Sequence, residues 1–140
     1  MFKKLYQSNI TITKPIEDTF NFTSNVNNLS LWSGASQIEV ITETDEKIGS
    51  IYKVTFTGII KNTATLIEIT EYNSPTLWTF QTQEPPVKLS KYTFETVDEG
   101  TKVSLDYTEE QNSASILTDM AIKRQMEKLL ADLKRCLEKT

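Results

Sequence analysis

The chain has 140 residues, with 15 Lys and Arg against 19 Asp and Glu, for a net charge of −4. This balance argues against a nucleic-acid-binding protein, which needs a basic face, and gives no polybasic attraction to an anionic membrane. With no histidine and one cysteine, Cys136, the chain cannot form an internal disulfide or a zinc site of the usual His/Cys type, so we expect no metal and no cofactor.

The length fits one hydrophobic core, and we interpret residues 1–140 as a single domain. Residues 1–9 lack the apolar core of a signal peptide, and no apolar run approaches the length of a membrane span. We therefore expect a cytoplasmic protein.

The first part of the chain indicates one strand followed by two short helices. Residues 5–13 alternate between two faces, which is typical of a strand. Pro15 suits the first turn of a helix, predicted over 15–24, and Glu17 and Asp18 favour its positive end. Residues 25–33, which include Trp32, predict a second short helix or turn.

Six further strands are predicted from period-two alternation, over 37–44, 50–57, 63–72, 76–83, 87–97 and 101–110. They are separated by turns at 45–49, 58–62, 73–75, 84–86 and 98–100, most of them marked by Gly, Pro or Asn. The side chains assigned to the inner face include Tyr52, Phe56, Trp78, Phe80, Tyr92, Phe94 and Tyr107. The fold class is therefore α+β, with a mostly antiparallel sheet.

Residues 113–140 contain neither proline nor glycine and predict one long closing helix. Its apolar stripe consists of Ile122, Met126, Leu129, Leu130, Leu133 and Leu137. Ile116, Leu117 and Met120 point roughly 120° away from that stripe. Either the helix begins near Thr118 after a loop, or its first turns face something different. Both alternatives place these three residues near a pocket entrance.

A family resemblance covers nearly the whole chain. It rests on the run Ile10-Thr11-Ile12-Thr13-Lys14-Pro15 with Phe20, on Trp32, and on three segments at 71–80, 99–103 and 133–138. Together they resemble the START-like, Bet v 1-like (SRPBCC) superfamily, and most closely its bacterial polyketide cyclase/dehydrase-type members. The resemblance implies a helix-grip fold, in which a seven-stranded curved antiparallel sheet wraps around the last helix and encloses an apolar cavity.

Aromatic and methionine side chains on the inward faces are the candidate ligand-binding residues, because such side chains line apolar pockets. They are Tyr52, Phe56, Trp78, Phe80, Tyr92, Phe94, Tyr107, Met120 and Met126. The simpler interpretation of each is that it fills the core. A buried tyrosine hydroxyl needs a partner, and a ligand oxygen could supply it.

Other candidates have plainer interpretations. Trp32 could gate the pocket or anchor the second helix, and Arg124 with Glu127 indicates a solvated surface pair. Cys136 lies near a helix C-terminus with no histidine to activate it, so we reject it as a nucleophile. The carboxylates at 106, 109 and 110 are expected on the solvated surface, which leaves no trusted inward carboxylate.

Three classes of function stay open. The favoured one is binding of a small apolar or amphipathic molecule, of lipid, polyketide or aromatic type, between the sheet and the last helix. The second is an enzyme resembling polyketide cyclases or dehydratases that uses pocket tyrosines and bound water. The third is a partner-binding or activator scaffold, and a homodimer is open as well.

Overall fold

One antiparallel sheet of seven strands forms the body of the protein in a computed structural model, which describes residues 2–56 and 62–139. The strands are β1 (Phe2–Ile12), β2 (Ala35–Thr42), β3 (Ile51–Phe56), β4 (Thr63–Asn73), β5 (Leu77–Thr82), β6 (Lys88–Val97) and β7 (Gly100–Gln111). Their spatial order is β1-β7-β6-β5-β4-β3-β2, so the first strand pairs with the last. All other neighbours are consecutive in the chain.

The helices lie where the sequence predicts them. Helix α1 (Ile16–Ser24) follows β1, and a 3₁₀ turn (Val26–Asn28) leads into the short helix α2 (Leu29–Trp32). The closing helix α3 (Ile116–Glu138) is capped by Ser115, whose side chain accepts a hydrogen bond from the Thr118 backbone N–H. The predicted helix-grip fold is confirmed.

The core lies between the concave face of the sheet and α3. The helix buries Met126, Leu130, Leu133 and Leu137, which recur at the spacing of one helical face. At the α1 end, Phe20 packs edge-to-face on Phe94, with ring centroids 5.1 Å apart. Burying these faces against each other is the reason that the sheet and the helix form one core.

Three details decide between alternatives, differ from the sequence-based expectations or fall outside them. Of the two alternatives for the start of α3, the structure has the second: the helix begins at Ile116, and its first two turns leave Ile116, Leu117 and Met120 exposed to solvent at 76, 75 and 55%. In β2, the edge strand of the sheet, both Val40 and Ile41 are about half exposed, and a register shift follows Val40. The predicted turn or bulge at 58–62 falls mostly on residues 57–61, outside the described part of the chain.

The β6–β7 hairpin shows why a glycine is required at one position. Gly100 has a φ of +143°, and a Cβ built there would lie 2.2 Å from the Ile12 carbonyl oxygen of β1. Only a residue without a side chain lets β1 approach the start of β7 this closely. In the described residues, no helix is long and apolar enough to cross a membrane.

Candidate ligand-binding cavity

A cavity of about 540 Å³ lies between the inner face of β3–β7, helix α2 and the first half of α3. Its volume falls within the range of small-molecule pockets, roughly 300–1,000 Å³. The sheet supplies one wall through side chains of β3 to β7. Helix α3 supplies the opposite wall through Ile122, Gln125, Met126 and Leu129.

Apolar side chains make up most of the lining. Those from the sheet and from α2 are Leu29, Trp32, Val54, Phe56, Ala64, Ile67, Phe80, Tyr92, Leu105 and Tyr107. Polar groups lie among them on β6 and β7, where Lys88, Ser90 and Glu109 also contribute. Such a lining can accommodate a ligand that is mainly apolar and carries a few polar groups.

Tyr92 and Trp32 form an aromatic corner of this cavity. Their rings meet at right angles with centroids 5.9 Å apart, and the ring of Trp78, the neighbour of Tyr92 on β5, packs against Tyr92 with centroids 5.3 Å apart. Tyr92 is 2% exposed and Trp32 is 3% exposed. Burial raises the pKa of the Tyr92 hydroxyl well above its ordinary value, so this group stays protonated and able to donate.

A hydrogen-bonded chain runs along the β1–β7 end of the cavity. The Tyr107 hydroxyl donates to Glu109 Oε1 at 2.7 Å, and Gln111 Nε2 donates to Glu109 Oε2 at 3.0 Å. Gln111 Nε2 also donates to Tyr6 Oη, which in turn donates to Asp119 Oδ1 of α3 at 2.5 Å. Burial and the bond to Glu109 raise the pKa of Tyr107. The chain thus connects a cavity carboxylate to the closing helix.

Asp119 is the terminus of this chain on α3. Lys4 Nζ lies 2.9 Å from Asp119 Oδ2. The hydrogen bonds from Tyr6 and Lys4 hold the pKa of the Asp119 carboxyl below its usual range. The anionic carboxylate therefore ties the first turns of α3 to β1.

The structure brings five of the nine predicted ligand-binding residues to the cavity wall, namely Phe56, Phe80, Tyr92, Tyr107 and Met126. Two of the others belong to the core and do not line the cavity. Trp78 is fully buried and packs against Phe80 and Tyr92, and Phe94 packs against Phe20. Met120 does not line the cavity, because it lies on the solvent side of α3.

Tyr52 faces a different, polar hollow of about 290 Å³ between α1, the 3₁₀ turn and the β2–β3 connection. Its hydroxyl donates to Glu43 Oε2 at 3.2 Å, and burial raises its pKa. Tyr52 does point inward from β3 as predicted. It lies at the other end of the sheet, where the α1 segment and not α3 covers it.

Glu109 is the functional candidate that the sequence interpretation missed. It follows Leu105 and Tyr107 at the same period of two, so the alternation itself places it on the inner face. The expectation of a solvated carboxylate was wrong for this residue, since Glu109 lines the cavity and accepts bonds from two neighbouring side chains. The prediction placed Glu109 in solvent because the side chain is charged, whereas the alternation along β7 gives the observed inner face.

The part of the chain that the structure describes contains no cluster of metal-ligating side chains. No group of three or more His, Cys, Asp or Glu side chains lies close enough together there to hold an ion. Glu109 instead has its two oxygens engaged by Tyr107 and Gln111.

Comparison with known proteins identifies the family. The model of the family described as "Polyketide cyclase / dehydrase and lipid transport" matches residues 5–138. The chain belongs to this family. The predicted membership of the START-like, Bet v 1-like superfamily is thereby confirmed, and the family and fold together indicate a protein of the hydrophobic-ligand-binding type. A search of curated proteins gave no match.

Solved structures share the fold at low sequence identity. A START superfamily protein from Mycobacterium smegmatis is 8% identical with a TM-score of 0.83, covering 96% of this chain and 97% of its own. A protein of unknown function from Staphylococcus aureus is 13% identical with a TM-score of 0.80, covering 99% and 95%. The protein Ara h 8.0201 is 15% identical with a TM-score of 0.79, covering 99% and 100%. At these identities the likeness establishes the fold alone.

Proposed function

We propose that this protein binds a small, mainly apolar molecule in the cavity between β3–β7 and α3. The observation that carries the proposal is the cavity itself, about 540 Å³ in volume and walled mostly by aromatic and aliphatic side chains. Moving an apolar surface from water into such a space is favourable by roughly 25 cal/mol per Å². The family description, which names lipid transport alongside polyketide chemistry, supports the same proposal.

A steric block on α3 tests this proposal. Ile122 lines the cavity and is half-buried, so Ile122→Trp is expected to fill part of the space. The matched control is Leu117→Trp, since Leu117 is on the same helix but is 75% exposed and outside the lining. The probe is 2-ethylnaphthalene, a compact apolar molecule, and binding is measured by calorimetry with protein titrated into the ligand.

The wild-type protein and Leu117→Trp are expected to bind the probe equally, and Ile122→Trp at least about 10-fold more weakly, because Trp takes space that the ligand needs. Thermal unfolding of all three proteins checks that the block does not act by unfolding the chain. Equal binding by both variants would place the probe elsewhere, and the absence of binding to the wild type would reject the proposal.

A second candidate function, acid–base catalysis on a molecule held in the same cavity, is favoured by the Tyr107–Glu109 pair. A phenol and a carboxylate joined at 2.7 Å in a cavity wall are groups that can donate and accept a proton from a bound molecule. This arrangement fits the cyclase and dehydratase chemistry in the family description, because those reactions move protons next to carbonyl groups. Lys88 lies directly opposite Glu109 on β6 and also lines the cavity.

Deuterium exchange tests this second candidate. The methyl protons of 2-acetylnaphthalene lie next to a carbonyl, so a cavity base would speed their replacement by deuterium in D₂O, measured by NMR. Glu109→Gln should remove any acceleration. Glu110→Gln is the control, because Glu110 accepts the Val87 N–H at 2.9 Å and does not line the cavity. Acceleration that is equal in both variants, or absent from the wild type, counts against catalysis by Glu109.

A further inference from the structure

The polar hollow under α1 has a lining unlike that of the main cavity. Only two of its ten lining residues, Val26 and Ile69, are aliphatic. The others are asparagines, a serine, two tyrosines and two residues of opposite charge, Glu43 and Lys47. With a volume of about 290 Å³, the hollow has room for a small molecule. What it can bind depends on whether the protein already pairs these polar groups with one another.

Glu43 is positioned in the hollow by a neutral group and not by a cation. The hydroxyl of Tyr52, a residue that is 5% exposed, donates to Glu43 Oε2 at 3.2 Å. Within residues 2–56 and 62–139, Glu43 forms no ion pair. Because a phenol carries no charge, it orients the carboxylate but leaves the negative charge uncompensated. This carboxylate can therefore accept a charge-assisted hydrogen bond from a cationic group that enters the hollow.

Lys47 brings the opposite charge to the hollow from a well-bonded turn. Its φ of +73° is a left-handed conformation, which is uncommon for residues other than Gly, Asn and Asp. The Lys47 N–H donates to the Thr44 carbonyl oxygen at 3.2 Å, and the Gly49 N–H ties the turn to β4 by donating to the Ile69 carbonyl oxygen at 2.8 Å. The Lys47 ammonium group makes no ion pair in the described part of the chain. The backbone is thus fixed while the charge stays available.

The two charges line one hollow without pairing with each other, so they call for two different partners. A ligand with a single charge would compensate only one of them. A molecule that carries both an ammonium group and a carboxylate can compensate both, because electrostatic complementarity favours opposite charges across an interface. The surrounding hydroxyl and amide groups, which include Asn21, Asn27 and Tyr72, can donate as well as accept hydrogen bonds. They can therefore contact the remaining polar atoms of such a molecule.

We propose that the polar hollow is a second binding site, which takes a small zwitterion of amino-acid type, with Glu43 receiving its ammonium group and Lys47 its carboxylate. The site is separate from the main cavity, since no described residue lines both. It does not depend on the function proposed for that cavity, and its ligand is of the opposite kind, small and polar.

Three matched probes test the proposal. L-Serine carries both charges, ethanolamine lacks the carboxylate, and 3-hydroxypropanoate lacks the ammonium group. Each is titrated at neutral pH into the ¹⁵N-labelled protein, and NMR shift changes give both the affinity and the place of binding. The wild type is expected to bind L-serine about 3- to 5-fold more tightly than either single-charge probe, the upper range for one solvent-accessible charge pair. The shift changes should lie at residues that line the hollow.

Two variants should show a crossed pattern. Glu43→Gln is expected to weaken L-serine and ethanolamine by about 3- to 5-fold and to leave 3-hydroxypropanoate unchanged, whereas Lys47→Gln should weaken L-serine and 3-hydroxypropanoate and leave ethanolamine unchanged. Both side chains are exposed, so the fold should persist, and the dispersion of the NMR spectrum checks it. Glu46→Gln is the matched control, because Glu46 is an exposed carboxylate of the same turn that does not line the hollow.

The control should bind all three probes as the wild type does. L-Serine binding that neither Glu43→Gln nor Lys47→Gln weakens, or that is no tighter than binding of the single-charge probes, would overturn the proposal. So would the absence of titrating shifts with L-serine, or shifts that lie outside the hollow. None of these results bears on apolar binding in the main cavity, which the naphthalene titrations measure.

Discussion

At the scale of single residues, the contribution of a buried hydroxyl to stability depends on whether it has a hydrogen-bond partner. Thr79 and Thr101 are both completely buried. The Thr101 hydroxyl donates to the Lys14 carbonyl oxygen at 2.7 Å, whereas Thr79 Oγ1 has no partner in the described structure. Thr101 therefore connects β7 to the segment between β1 and α1. Burial of the Thr79 hydroxyl costs desolvation free energy that no hydrogen bond offsets.

This contrast predicts opposite effects of the same substitution. Thr79→Val removes an unpaired hydroxyl at nearly constant volume and is expected to raise the free energy of unfolding by about 0.5–1 kcal/mol. Thr101→Val breaks a buried hydrogen bond and is expected to lower it by about 1–2 kcal/mol. Urea unfolding of the two variants and the wild type measures both effects. Destabilisation of similar size in both variants would show that Thr79 Oγ1 has a partner in solution.

At the scale of secondary-structure elements, alternation along the strands was the reliable signal. The inward assignments of Tyr92 on β6 and Tyr107 on β7 agree with the structure, and the same register extends to Glu109 and Gln111. The helical stripe of α3 likewise places Met126 against the sheet. Such periodicities depend only on local backbone geometry, which is why the chain alone reveals them.

The position of the cavity along each strand was not predictable in this way. Tyr52 and Phe56 lie on the same face of β3, yet Phe56 lines the main cavity and Tyr52 the polar hollow under α1. The difference arises from where α1 and α3 cross the sheet, and that crossing depends on long-range packing. Met120 on α3 is a second example. The sequence shows that Met120 lies away from the apolar stripe of the helix, but it does not show whether that side of the helix faces the cavity or the solvent.

At the scale of the whole molecule, α3 is aligned with β1 by a series of polar contacts. Lys4 meets Asp119 near the start of the helix, and Lys134 donates to the Thr11 carbonyl oxygen near its end. From Lys4 to Thr13 a strand advances about 30 Å, and from Asp119 to Glu138 a helix advances about 28 Å. The two segments therefore have nearly the same length, so that contacts form at both ends. These contacts fix the position of α3, and with it one wall of the cavity, relative to the sheet.

A further contact at the end of α3, between Glu138 and Thr13, predicts how stability depends on pH. Glu138 Oε2 accepts hydrogen bonds from Lys134 Nζ at 2.7 Å, the Thr13 backbone N–H at 2.8 Å and the Thr13 hydroxyl at 2.9 Å. These bonds lower the pKa of the Glu138 carboxyl from 4.5 to about 2, with Lys134 as the largest cause. Since the unfolded chain takes up this proton first, the stabilisation is present above pH 4.5 and is lost as the pH falls towards 2.

Glu138→Gln should therefore be less stable than the wild type at pH 7, and the gap between the two should narrow at pH 4 and again at pH 3, as measured by urea unfolding. Glu127→Gln is the matched control, because Glu127 is exposed on the same helix and makes no ion pair or hydrogen bond within the described residues. Its stability should follow the wild-type curve at each pH. A gap for Glu138→Gln that stays constant with pH would mean that the negative charge of the carboxylate does not stabilise the contact between the end of α3 and the β1–α1 corner, and that the variant loses stability only through weaker hydrogen bonds to the amide.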